Sequence, residues 1–156
     1  MSMKKIEKPE NLKLRETIVL NGIVGMCKTG DENYETIGVK TIQRIKRLNG
    51  TVEERVVGQF PLTKEMEDKC DWLTSYASIQ MLTGDTPIDM DHIDETKIVS
   101  MMGMVESHYY HRYSDYTGYL WTEEGFKCGG HNIPQILCNH EGEYIHMEIE
   151  LYDKKR

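Results

Sequence analysis

Thr63-Lys-Glu-Met66-Glu-Asp-Lys-Cys70-Asp-Trp-Leu73-Thr-Ser-Tyr-Ala77-Ser-Ile-Gln-Met81-Leu-Thr83-Gly84 is the stretch on which the fold turns. Met66, Cys70, Leu73, Ala77 and Met81 recur at i, i+4, i+7, i+11 and i+15, the spacing of one face of an α-helix. Pro61 precedes the stretch, and Thr63 is a suitable N-cap. Glu65 and Glu67 fall in the first turn, where the helix dipole favours acids, and Gly84 ends the pattern. The spacing predicts a helix over 63–83 whose apolar stripe packs into the core.

Working outward, Val39, Ile42, Ile45 and Leu48 recur every three residues before the stop Asn49-Gly50, which predicts a second main helix over 36–48. Asn132 caps a short C-terminal helix that admits Pro134 in its first turn and closes at Gly142. Strands are expected at 17–20 and 23–26, broken at Asn21-Gly22, and at 51–60. Segments 97–113 and 118–128 read as a hairpin around Ser114-Asp-Tyr-Thr117. In 143–152, Tyr144, His146, Glu148 and Glu150 alternate with Ile145, Met147, Ile149 and Leu151, the signature of a half-buried strand. The order β-α-β-α-β-β-α-β points to an α+β fold with two main helices and one short C-terminal helix on a mixed or mostly antiparallel sheet. A chain of 156 residues suits one domain, 1–156, with residues 1–14 as a flexible arm.

Leu, Ile, Val and Phe supply 34 residues, enough for a modest core. The net charge of −7 disfavours direct nucleic-acid binding, because phosphates need the opposite balance. The charge is uneven: residues 1–60 carry 11 basic and 8 acidic side chains, whereas 61–153 carry 5 and 18. The acidic part favours basic partners. No apolar run is long enough to span a membrane and the first residues lack an apolar signal core, so a cytoplasmic protein with no membrane partner is expected. Cys27, Cys70, Cys128 and Cys138 are then reduced thiols.

Gly22-Ile-Val-Gly-Met-Cys27-Lys28-Thr29 resembles a phosphate loop, but Cys27 stands where that loop needs glycine. Cys128, His131, Cys138 and His140 are metal-capable side chains within 13 residues. On a helix, however, Cys138 and His140 point about 200° apart, and His131 and Cys138 stand roughly 10 Å apart, so no metal or other cofactor is expected. Cys128 and His131 also form a candidate thiol–base pair. Asp85, Asp89, Asp91, Asp94 and Glu95 crowd an acidic connector that lacks the spacing of a calcium loop.

The least ordinary segment is His108-Tyr-Tyr-His-Arg-Tyr-Ser-Asp-Tyr-Thr-Gly-Tyr-Leu-Trp121, with five of the nine tyrosines. Tyr109, Tyr110, His111, Tyr113, Tyr116, Tyr119 and Trp121 are candidate contact residues, since aromatic rings give large contact area at low entropy cost. Lys40, Arg44 and Arg47 would form a basic face on the helix expected at 36–48. The leading reading is a non-catalytic binding or regulatory protein. It would act on a protein partner with a basic surface, in one form as an inhibitor of a nucleic-acid-binding groove, or on a second subunit. The alternatives are a small enzyme or zinc/thiol site at Cys128 and His131, and a sponge gripping a nucleotide or other small ligand between tyrosines and the Lys40/Arg44/Arg47 face.

Overall fold

The computed structural model describes residues 12–28, 35–69, 75–113 and 120–154. It is a mostly antiparallel β structure with two small helices, not the two-main-helix α+β fold expected. Strands β1 (Leu12–Lys28), β2 (Glu35–Lys46) and β3 (Val52–Pro61) lead into helix α1 (Leu62–Lys69). Strand β4 (Ser75–Gly84) follows, then two 3₁₀ turns at Met90–His92 and Glu95–Lys97. The chain continues as β5 (Val99–Tyr113), β6 (Leu120–Cys128), the two-residue β7 (His131–Asn132), helix α2 (Ile133–Cys138) and β8 (Tyr144–Lys154). The strands form one sheet in the order β3-β2-β1-β8-β4-β5-β6-β7.

Both main-helix expectations fail. The helix expected at 63–83 ends at Lys69, and residues 75–84 are a strand inserted between β8 and β5. Ala77, Ile79 and Met81 alternate into the core, at 0–1% exposure, while Ser78 and Gln80 face outward. An i, i+4 pair such as Ala77 and Met81 shares a face in a strand as well as in a helix, and the apolar Ile79 between them fits only the strand. Leu73, central to the expected stripe, lies outside the described residues. Residues 35–46 are likewise a strand, with Ile37 and Val39 buried and alternating. Their β-branched side chains suit a pleated surface with partners on both sides.

The sheet curls into a half-barrel. Helix α1 touches β2 and β3 near one edge and β5 and β6 near the other, and α2 touches β1, β2 and β6. The helices therefore lie inside the curl. Leu62, Met66, Ile133 and Leu137, all at 0% exposure, meet the inward side chains Ile79, Met81, Ile145, Met147, Ile149 and Leu151. Asn132 caps α2 by accepting from the Gln135 N–H at 3.2 Å, with Pro134 in the first turn.

Strand β1 is continuous over 17 residues rather than broken at Asn21-Gly22. Gly22 serves close approach instead: a Cβ there would lie 1.9 Å from the Lys40 carbonyl oxygen. Leu12 is buried and Leu12–Leu14 pair with β8, so the arm expected to reach residue 14 is sheet from Leu12 onward.

One element leaves the body. β1 and β2 pair from Lys28 opposite Glu35 to Gly22 opposite Thr41. Past Thr41, β2 is paired only with β3, from Ile42 opposite Val56 to Lys46 opposite Val52. No residue from 40 to 60 is buried, so residues 42–57 form a projecting two-stranded ribbon.

Candidate functional site

The outer face of the sheet carries a polar row that follows from the alternation of β8. His146, Glu148, Glu150 and Tyr152 point away from the helices, beside Asn21 and Thr17 of β1 and Gln80 and Ser78 of β4. His146 is only 6% exposed although it lies outside the core. Asn21 Nδ2 stands 3.1 Å from His146 Nδ1. On the other side of the ring, Nε2 lies 3.5 Å from Glu148 Oε2, beyond hydrogen-bond geometry. The Tyr152 hydroxyl donates to Glu150, and burial followed by that bond pushes its pKa up to about 12. The alternation in the sequence marks this row, but nothing in it marks Asn21 as the partner of His146.

The acidic connector crosses the end of this face as a shaped element. Asp85, Asp89, Asp91, Asp94 and Glu95 are all exposed. Asp89 caps the first 3₁₀ turn by accepting from the Asp91 N–H at 3.0 Å, and Asp94 caps the second by accepting from the Thr96 N–H at 3.0 Å. Asp89 also meets His92 Nδ1 at 2.8 Å. The His92 bond holds the Asp89 carboxyl below its usual range, and the Thr96 bonds do the same for Asp94. Pro87, Ile88 and Ile93 turn back toward Leu82 and Gly84 and enclose a cleft of about 270 Å³ rimmed by Asp89, His92, Asp94 and Lys97. The connector thus presents negative charges at fixed positions, with an apolar floor between them.

The aromatic segment lies on β5 and β6. Tyr109 pairs with Glu124, Tyr110 with Glu123, His111 with Thr122, Arg112 with Trp121 and Tyr113 with Leu120. The hairpin expected from the sequence is present, and each of Tyr109 and Tyr110 stands opposite a glutamate. Tyr116 and Tyr119 fall outside the described residues.

The basic face does not form as expected, because 35–46 is not helical. Lys40 and Arg44 share a face of β2, while Arg47 lies in the turn beyond it. Arg44 pairs with Glu54 at 2.9 Å and stacks 6.0 Å from the Tyr144 ring centre. The Tyr144 hydroxyl donates to the same Glu54 carboxylate at 2.9 Å, and Arg47 pairs with Glu53. The arginines are committed to acids of the neighbouring strand, which sequence spacing along one helix does not reveal.

The metal-capable residues are dispersed. Cys128 is buried at 0%, and its thiol donates to the Ala77 carbonyl at 3.4 Å, deep in the core. His131 is exposed on β7, and Cys138 is exposed on α2. His140 Nδ1 sits 2.5 Å from Glu143 Oε2 and 3.4 Å from Thr83 Oγ1. Among the described residues no three His, Cys, Asp or Glu side chains converge as a metal site. Lys28 ends β1 as an extended residue whose N–H donates to Gln59, so the segment before it is a strand and not a phosphate loop. Burial raises the Cys27 thiol pKa, and that thiol donates to the Gly25 carbonyl at 3.5 Å.

No protein-family model matches the chain, and no curated protein or solved structure matches it either. Among the described residues no helix is long and apolar enough to cross a membrane.

Proposed function

We propose that the chain is a non-catalytic binding protein that recognises a protein partner with a basic surface through its outside. One observation carries this reading. The inside of the curled sheet, where such an architecture would hold a small ligand, is filled by the chain's own helices, with Leu62, Met66, Ile133 and Leu137 fully buried there. Recognition is left to the outer surface. The connector supports the polarity of the partner: five exposed carboxylates within 11 residues, two of them fixed as caps of short turns, cost little further ordering when they meet cations. The aromatic hairpin, with Tyr109 and Tyr110 opposite glutamates and Trp121 opposite Arg112, supplies residue types that anchor interfaces.

The test is affinity capture with the tagged chain, followed by isoelectric analysis of what is retained. Basic proteins released by about 0.5 M salt are expected, because screening then acts within a few ångströms. Asp85→Lys with Asp91→Lys, which leaves the caps Asp89 and Asp94 in place, should weaken capture by about tenfold at unchanged melting midpoint. Retention of acidic proteins, or retention indifferent to the double charge reversal, would overturn the reading.

A further inference from the structure

The ribbon ends the sheet, and among the described residues its outer strand β3 has a neighbour on one side only, β2. An edge of this kind offers unpaired backbone N–H and C=O groups as a template for another strand. It is apolar where it is most open: Val52 is 57% and Val56 51% exposed, on the same face as Glu54. Glu53 and Arg55 share the opposite face, 3.4 Å apart.

The sequence of this edge is complementary to itself. Two copies related by a two-fold axis normal to the sheet pair antiparallel, and the axis keeps each face aligned with the same face of the other copy. With the axis at Glu54, Val52 lies opposite Val56 and Glu53 opposite Arg55, each pair occurring twice. The two Glu54 residues that meet at the axis are each already paired with Arg44 of their own chain at 2.9 Å, which removes most of their repulsion. Other registers lack this match. Centring on Arg55 sets arginine against arginine, and moving the axis to Val56 carries the pairing into the irregularity beside Gly58, where the register with β2 shifts. The ribbon also carries the opposite charge to the acidic part of the chain: Arg44, Lys46, Arg47 and Arg55 outnumber Glu53 and Glu54. Pairing there keeps the acidic parts of two chains of net charge −7 away from each other, and each ribbon meets its copy with a net charge of only +2 (four basic against two acidic residues).

We infer that the chain forms a two-fold symmetric dimer by antiparallel pairing of β3 across residues 52–56, with Glu53 of each copy against Arg55 of the other. A strand pair of this length lies at the small end of specific interfaces, so dissociation constants of roughly 10–100 µM are expected. Sedimentation velocity over about 5–200 µM brackets that range. Arg55→Glu sets glutamate against glutamate and should weaken dimerisation by at least about tenfold. The charge swap Glu53→Arg with Arg55→Glu restores the complementary pairs and should recover the dimer. Melting midpoints of both variants report the fold, since Arg55 is an exposed ribbon residue. A wild-type chain that stays monomeric throughout, a dimer unmoved by Arg55→Glu, or a swap that fails to recover it would overturn the inference.

Discussion

At Tyr152 a single phenol couples the outer polar row to the core. The ring is 4% exposed at the end of β8, and its hydroxyl donates to Glu150. Burial disfavours the phenolate first, and the neighbouring carboxylate adds to it, so the pKa rises from 10.0 to about 12. The folded chain therefore holds this proton to higher pH than the unfolded chain. The resulting stabilisation is fully present below about pH 10 and is lost as the pH climbs toward 12. Denaturant midpoints measured from pH 9 upward should fall more steeply for the wild type than for Tyr152→Phe, which has no proton to lose. Parallel profiles for the two proteins would refute the assignment. His146 illustrates what the sequence hides at this scale. Its place on the outer face is legible from the alternation of 143–152, but its side-chain neighbour Asn21 is 125 residues away.

At the level of elements, legibility depended on whether a spacing belongs to one period or to two. β8 reads without ambiguity, since four apolar residues at i, i+2, i+4 and i+6 cannot line one face of a helix. The cap at Asn132 is also local chemistry, because a side chain and a proline within two residues specify it. The stretch 63–84 is different. Its start, as part of α1 from Leu62 to Lys69, is helical with Glu65 in the first turn, although Thr63 lies inside the helix and does not cap it; Ala77 and Met81 satisfy both periods, and the pairing of β4 with β8 and β5 decides between them. Those partners lie 18 (Met81 to Val99) to 78 (Ser75 to Asp153) residues further along the chain, beyond any local window. Ile79 discriminates. A helix carrying Ala77 and Met81 inward would turn Ile79 to solvent, whereas in β4 it is fully buried against Met101 and Ile149. Ile79→Ala should therefore cost about 2–5 kcal/mol of unfolding free energy. A change below about 0.5 kcal/mol, the usual range of surface substitutions, would contradict the strand.

For the whole molecule the decisive fact is the position of β8. It is the last strand in the chain, yet it stands in the middle of the sheet, joining β2, β3 and β1 on one side to β4, β5, β6 and β7 on the other. Neither half closes its hydrogen bonds or covers its apolar face until β8 enters, and Ile145, Met147, Ile149 and Leu151 are fully buried when it does. The ribbon at 42–57 is the opposite extreme, with no buried side chain, one strand pair, and Tyr144 of β8 touching it at Arg44 and Glu54. Isolated ribbons of two strands are marginally stable in water, so this one is expected to open before the body does, at the cost of its exposed contacts to Tyr144. Hydrogen exchange should separate the two. Amides of Ile145, Met147, Ile149 and Leu151 should exchange only through global unfolding, with protection that falls in step with added denaturant. Amides of the ribbon should exchange orders of magnitude faster and independently of low denaturant, when measured at dilution below the concentrations that favour pairing of β3. Equal protection in β8 and the ribbon would mean that the sheet opens as one unit, and a β8 that exchanges first would remove it from the centre of the fold.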